Sequence, residues 1–203
     1  MKTLHQCNGS KWELRANLDP PAAGNTRAHI AGIISGRTYG VAKGVNLFGV
    51  VITARLSDVA SGVNAVVVSH TERRGLPQFK GSVLNLSLAT LTHARDVWNV
   101  VLRALSDARI HIAVAASNAG GDVCNSDPSG LSQVYPIISV GNVDISNKLT
   151  IYSNWGRCVD IYAPGDAIRS VAGWTNDTAA TESGTSMSAP HVAGVIATGL
   201  SLN

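Results

Sequence analysis

Short apolar runs alternate with longer amphipathic stretches along this chain. Residues 50–52, 82–88, 111–116 and 137–141 are of strand length, mostly apolar and rich in β-branched side chains, as strands buried on both faces tend to be. Between them the period lengthens. Ser57 is placed to cap a helix running to about His70, and Thr92 to start another through Leu105. Val97, Val101 and Leu105 recur four apart on one face of that second helix. Residues 192–197 are apolar and small and read as a buried helix, with Pro190 in its first turn, where a missing N–H is not needed. Strand, helix and strand in succession predict a doubly wound, mostly parallel α/β sheet with helices on both faces. Functional residues collect beyond the carboxyl ends of such strands. The turns after Leu88 and Ala116 are therefore the first places to look.

Composition narrows the class. The chain has 203 residues, 45% hydrophobic and only 14% charged, against roughly 25% charged in an average soluble domain. That balance excludes disorder and suits a single core. Sixteen basic residues give a net charge of +3 with no run longer than Arg73-Arg74, so neither a nucleic-acid footprint nor a polybasic membrane patch is present. No stretch approaches the roughly 20 apolar residues of a spanning helix. Residues 1–12 carry no apolar signal core, and the compartment is left open. The odd cysteine count, Cys7, Cys124 and Cys158, leaves one thiol over if two pair. Asn8 and Asn176 stand in glycosylation patterns, as does Asn85 within a predicted buried strand.

The segment Gly184-Thr185-Ser186-Met187-Ser188-Ala189-Pro190-His191-Val192-Ala193-Gly194 carries the chemistry. It resembles the nucleophile segment of the subtilisin-like serine proteases, in a pattern nearest to proteinase K-like members. Four further stretches resemble that family in the same order: Ala31-Gly32 with residues 38–43, residues 83–88 (family N-x-S-L-G), residues 114–118 (V-A-A-G-N), and Ser153-Asn154-Trp155-Gly156 followed by residues 160–165 (D-x-x-A-P-G). The resemblance implies a subtilisin-like fold, incomplete at both ends, with a divergent segment at 1–22 and a partial peptidase domain at 23–203. It implies Ser186 as nucleophile and Asn118 as the side-chain donor to the oxyanion. It implies Ser87, Leu88 and Ala89, with Ala116 and Ser117, as walls holding an extended peptide or protein substrate. It implies no cofactor, and it leaves the oligomeric state open.

The same resemblance exposes departures. In the histidine motif H-G-T-H-V-A-G the first His is the base; here Thr26 falls on it, Arg27 on a glycine, and His29 on the second His. A threonine accepts no proton near neutral pH. The only Asp before residue 26 is Asp19, followed by two prolines rather than set in a strand. Ala89 and Ser117 replace cleft glycines, placing side chains toward the space a substrate would fill. His29 is expected to be a packed helical residue, and His191 to point into the protein. Peptide-bond hydrolysis by this chain is thus expected to be impaired; the alternative is a non-enzymatic pseudoprotease that binds peptides or a protease partner. Cys124 and Cys158 match positions that are bridged in some secreted members. Asp160 coincides with a calcium-ligating carboxylate in some relatives, but a hydrogen-bonded Asp is preferred and no metal is assigned.

Overall fold

Alternation along one strand sorts the core into two layers. The computed structural model describes residues 21–50, 52, 55–89, 94–172 and 178–202. Four parallel strands, β1 (Val83–Leu86), β2 (His111–Ala115), β3 (Ile137–Val143) and β4 (Ile161–Pro164), lie side by side in that order. Successive side chains of a strand face opposite ways. On β2, Ile112 and Val114 join a cluster with Val59 and Val63 of α2 (Leu56–Arg73) and Trp98, Leu102 and Leu105 of α3 (Arg95–Asp107). Ala113 and Ala115 face the other way, against Ala189, Val192 and Ala193 of α4 (Thr185–Leu202). Helices therefore cover both faces of a parallel sheet, as the pattern predicts. Large branched residues fill the α2–α3 side, while methyl groups on the other side let α4 approach closely.

The remaining elements brace α4. Helix α1 (Pro21–Ser35) packs against α4 and against a two-stranded antiparallel hairpin, β5 (Ile168–Val171) and β6 (Ala179–Glu182). Glycines make these contacts close. A Cβ on Gly32 would overlap the Ser170 hydroxyl, and one on Gly194 would lie 2.7 Å from the Val41 Cβ.

Several expectations need correction. Val50 and Ile52 are not in a strand; they pack on Gly62 of α2, where a Cβ would lie 2.7 Å from Ile52. Arg55, not Ser57, is the N-cap of α2, and Ser57 sits in the first turn with its hydroxyl 3.5 Å from the Asp58 carboxylate. Thr92 lies outside the described residues. The buried face of α3 is centred on Trp98, Val101, Leu102 and Leu105, with Val97 at its margin. Tertiary packing chose the stripe around the largest side chain. Helix α4 begins at Thr185, so Pro190 stands in its second turn rather than its first. Strands β4, β5 and β6 escape the apolar-run criterion because their patterns are short and mixed.

Size, not hydrophobicity alone, governs the α4 side. Ala113→Leu is expected to destabilise by about 1–3 kcal/mol through overpacking, and Ile112→Val by about 0.5–1.5 kcal/mol, measured by urea unfolding. A neutral or stabilising Ala113→Leu would mean that the gap between β2 and α4 is loose.

Candidate active site

The carboxyl ends of β1 and β2 and the amino end of α4 meet at one place. Gly184 enters the helix with φ +147°, a conformation that favours glycine. Its N–H donates to Gly165 O at 2.8 Å, and a Cβ there would sit 3.4 Å from the Asn118 amide nitrogen. One residue on, both the backbone N–H and the hydroxyl of Thr185 donate to Asn118 Oδ1, at 2.8 and 3.1 Å. With Oδ1 so committed, Nδ2 is the atom Asn118 has left to donate. Ser186 follows, half-buried in the first turn of α4, where the helix N-terminus favours negative charge developing nearby.

Asn118 is exposed, yet its loop is held from below. Asn154 is almost wholly buried. Its Oδ1 accepts from Ala119 N and Gly121 N at 3.0 and 3.2 Å, and its Nδ2 donates to Ser126 Oγ at 3.0 Å. Gly156, at φ +111°, lies where a Cβ would come within 2.7 Å of Asp122. A Cβ on Gly165 would overlap the Ser188 hydroxyl, which keeps the 163–165 turn against the helix entry. Asn154, Gly156 and Gly165 all fall inside matched motifs, but their supporting work depends on contacts distant in sequence. The Cys124–Cys158 disulfide ties the same region across 34 residues, and closing a loop of that length contributes about 3–4 kcal/mol in the chain-entropy picture.

The wall residues divide. Ser87 follows β1 directly and donates its hydroxyl to Ser186 O at 2.9 Å. Leu88 is half-buried against the α2–α3 cluster and Ala89 is exposed. Ala116 is wholly buried beside Val123 and Cys158. Ser117 carries φ +80°, and its carbonyl accepts from Asn154 N at 3.1 Å. The structure thus gathers Ser87, Asn118 and Ser186, and turns the Ala116 side chain inward.

Three of the four described histidines have hydrogen-bond partners elsewhere. His29 is fully buried on α1, its Nε2 3.0 and 3.2 Å from the carbonyls of Ile168 and Ala180. His191 is half-buried, with Nδ1 2.8 Å from Met187 O. His70 pairs with the Ser82 hydroxyl at 3.0 Å, and His111 is exposed at the opposite end of β2 from Asn118. Thr26 is half-buried on α1, and Arg27 is exposed with its guanidinium 3.4 Å from Ile52 O. Asp19, His5 and His93 lie outside the described residues. Asp160 accepts from Ser139 N at 2.8 Å, and among the described residues no group of three or more His, Cys, Asp or Glu could hold a metal ion.

The profile of the subtilase family, peptidase S8, matches residues 27–203. The chain belongs to the subtilase family. It is 38% identical over 181 residues to cerevisin of Saccharomyces cerevisiae, across 86% of this chain and 28% of that protein. It is 37% identical over 196 residues to alkaline protease 2 of Aspergillus fumigatus, across 91% of this chain and 39% of the relative. A cold-adapted subtilisin-like serine proteinase of known crystal structure superposes with a TM-score of 0.73 at 36% identity, covering 86% of this chain and 60% of that one. The chain therefore spans about a quarter to two fifths of the length of these two subtilase relatives.

Two outcomes follow from the site's local physics. Ser117 holds a left-handed backbone, so Ser117→Gly is expected to stabilise by about 0.5–1 kcal/mol, the left-handed cost less glycine's entropy, read from urea midpoints. A loss of stability would show that the Ser117 side chain contributes packing. Burial holds His191 below its usual range, against the opposing pull of its bond to the Met187 carbonyl. Its contribution is fully present above the unfolded value, about pH 6.5, and is lost as pH falls through the lowered folded value. Between about pH 7.5 and pH 5 the unfolding midpoint should fall more steeply for wild type than for His191→Gln. Equal slopes would remove His191 from the acid response.

Proposed function

We propose that this chain is a subtilisin-like serine endopeptidase segment in which the nucleophile and oxyanion donor are built while, among the described residues, the base is not, so that hydrolysis is impaired. Residues 23–203 form a partial peptidase domain behind a divergent 1–22 segment. The observation that carries the reading is the pair of bonds from Thr185 to Asn118 Oδ1, which sets the Asn118 amide beside the turn that bears Ser186. Ser186 Oγ is the group that would attack a peptide carbonyl, and Asn118 Nδ2 would donate to the oxyanion that forms. In subtilisin, a relative, loss of one such donor costs about 10²–10³ in kcat. Ser87, Leu88 and Ala89, with Ala116 and Ser117, line the path of an extended peptide or protein substrate.

A serine hydroxyl needs an adjacent base to take its proton. Thr26, at the matched position, cannot act as one, and the described histidines are bonded to backbone or hydroxyl groups or stand at the far end of β2. Removing the base alone costs about 10⁶ in kcat in subtilisin. A second reading, a non-enzymatic pseudoprotease that binds peptides or a protease partner, is favoured by the same half-site, because the Thr185–Asn118 bonds form without the base.

The purified chain is expected to turn over casein at about 10⁻⁶ of the rate of an intact relative or less, while binding extended peptides. Casein cleavage that disappears in Ser186→Ala would overturn the impaired reading. Peptide affinity with no turnover of any substrate would select the pseudoprotease.

A further inference from the structure

In an α-helix the N–H of each residue bonds the carbonyl four residues earlier. Pro190 has no N–H, so α4 leaves the carbonyl of Ser186 without its helical donor. A half-buried carbonyl left unpaired is costly. The Ser87 hydroxyl, from the end of β1, fills the vacancy at 2.9 Å. Its direction is set from behind, because Asn85 Nδ2 donates to Ser87 Oγ at 2.9 Å. Having accepted there, Ser87 has its own proton to offer Ser186. Asn85 and Ser87 are two apart in an extended segment and so share one side of it.

We propose that Ser87 is a positioning residue for Ser186, replacing the helix bond that Pro190 removes, with Asn85 orienting its hydroxyl. The nucleophile's backbone is then gripped twice. Asn118, from the end of β2, holds the N–H of Thr185, and Ser87, from the end of β1, holds the carbonyl of Ser186. Two neighbouring strands thereby fix Ser186 against the Asn118 amide. This inference rests on the reading of Ser186 as nucleophile, and it gives the N-x-S stretch and the proline four residues after Ser186 a shared physical reason.

The test is a double-mutant cycle read with a peptidyl boronate. The Ser186 oxygen forms a bond to boron, its proton leaves to solvent, and the boron becomes a tetrahedral anion, visible by boron NMR while calorimetry gives the affinity. Ser87→Ala is expected to weaken binding about tenfold, and Ser87→Thr, which keeps the hydroxyl, to stay within about twofold. In the Pro190→Ala background residue 190 regains an N–H for the Ser186 carbonyl, so Ser87→Ala should cost less than about twofold there. Equal losses in both backgrounds overturn the proposal. Should Ser186→Ala leave boronate binding unchanged, the nucleophile reading has failed, and the same cycle read by urea unfolding decides the positioning: coupling between 87 and 190 supports it, and additivity overturns it.

Discussion

Two hydrogen bonds from Thr185 to a single oxygen of Asn118 join the end of one strand to the start of the last helix, and the site follows from that junction. Both donors belong to the first residue of α4, where backbone N–H groups have no helical partner. A side-chain carbonyl supplied from the neighbouring strand end satisfies them and fixes the helix relative to the sheet. The same amide is thereby held, its oxygen occupied and its nitrogen beside Gly184.

That junction needs α4 very near the sheet. The near approach comes from small residues on both sides: Ala113 and Ala115 from β2, and Ala189 and Ala193 from the helix. Gly165 and Gly184 remove side chains where the helix entry crosses the turn after β4. The opposite layer is built from Trp98, Leu102, Leu105, Ile112 and Val114, whose bulk gives the sheet a rigid backing. A precise contact on one side thus stands on a thick apolar core on the other. The buried Asn154 and the Cys124–Cys158 bridge hold the Asn118 loop from beneath, so an exposed side chain keeps a defined position.

Much of this was legible in the order of residues. Strands β1, β2 and β3 stand out as apolar runs, because strands buried on both faces leave an uninterrupted signal. Ser186 and Asn118 match the family's motifs, and the departure at the histidine motif, with His29 on its second His, is legible from spacing. The short strands β4 to β6 do not stand out, since their mixed patterns arise where one face meets solvent or a loop. Ser57 is not the cap that its type suggests, because propensity near a helix start does not fix the first residue. For the same reason the sequence does not reveal that Pro190 stands in the second turn, where it frees the carbonyl of Ser186.

What the sequence alone determines is chemistry of local origin: the family, the residues that match its nucleophile and oxyanion-donor motifs, and the want of an imidazole at Thr26. These are properties of residue type at fixed spacing, which a chain carries whether folded or not. What only the tertiary structure decided is who holds whom. Ser87 and Ser186 are 99 positions apart, and Asn118 and Thr185 are 67 apart. Their pairing depends on the packing of β1, β2 and α4, because a hydrogen bond acts over about 3 Å of space, whatever the distance along the chain.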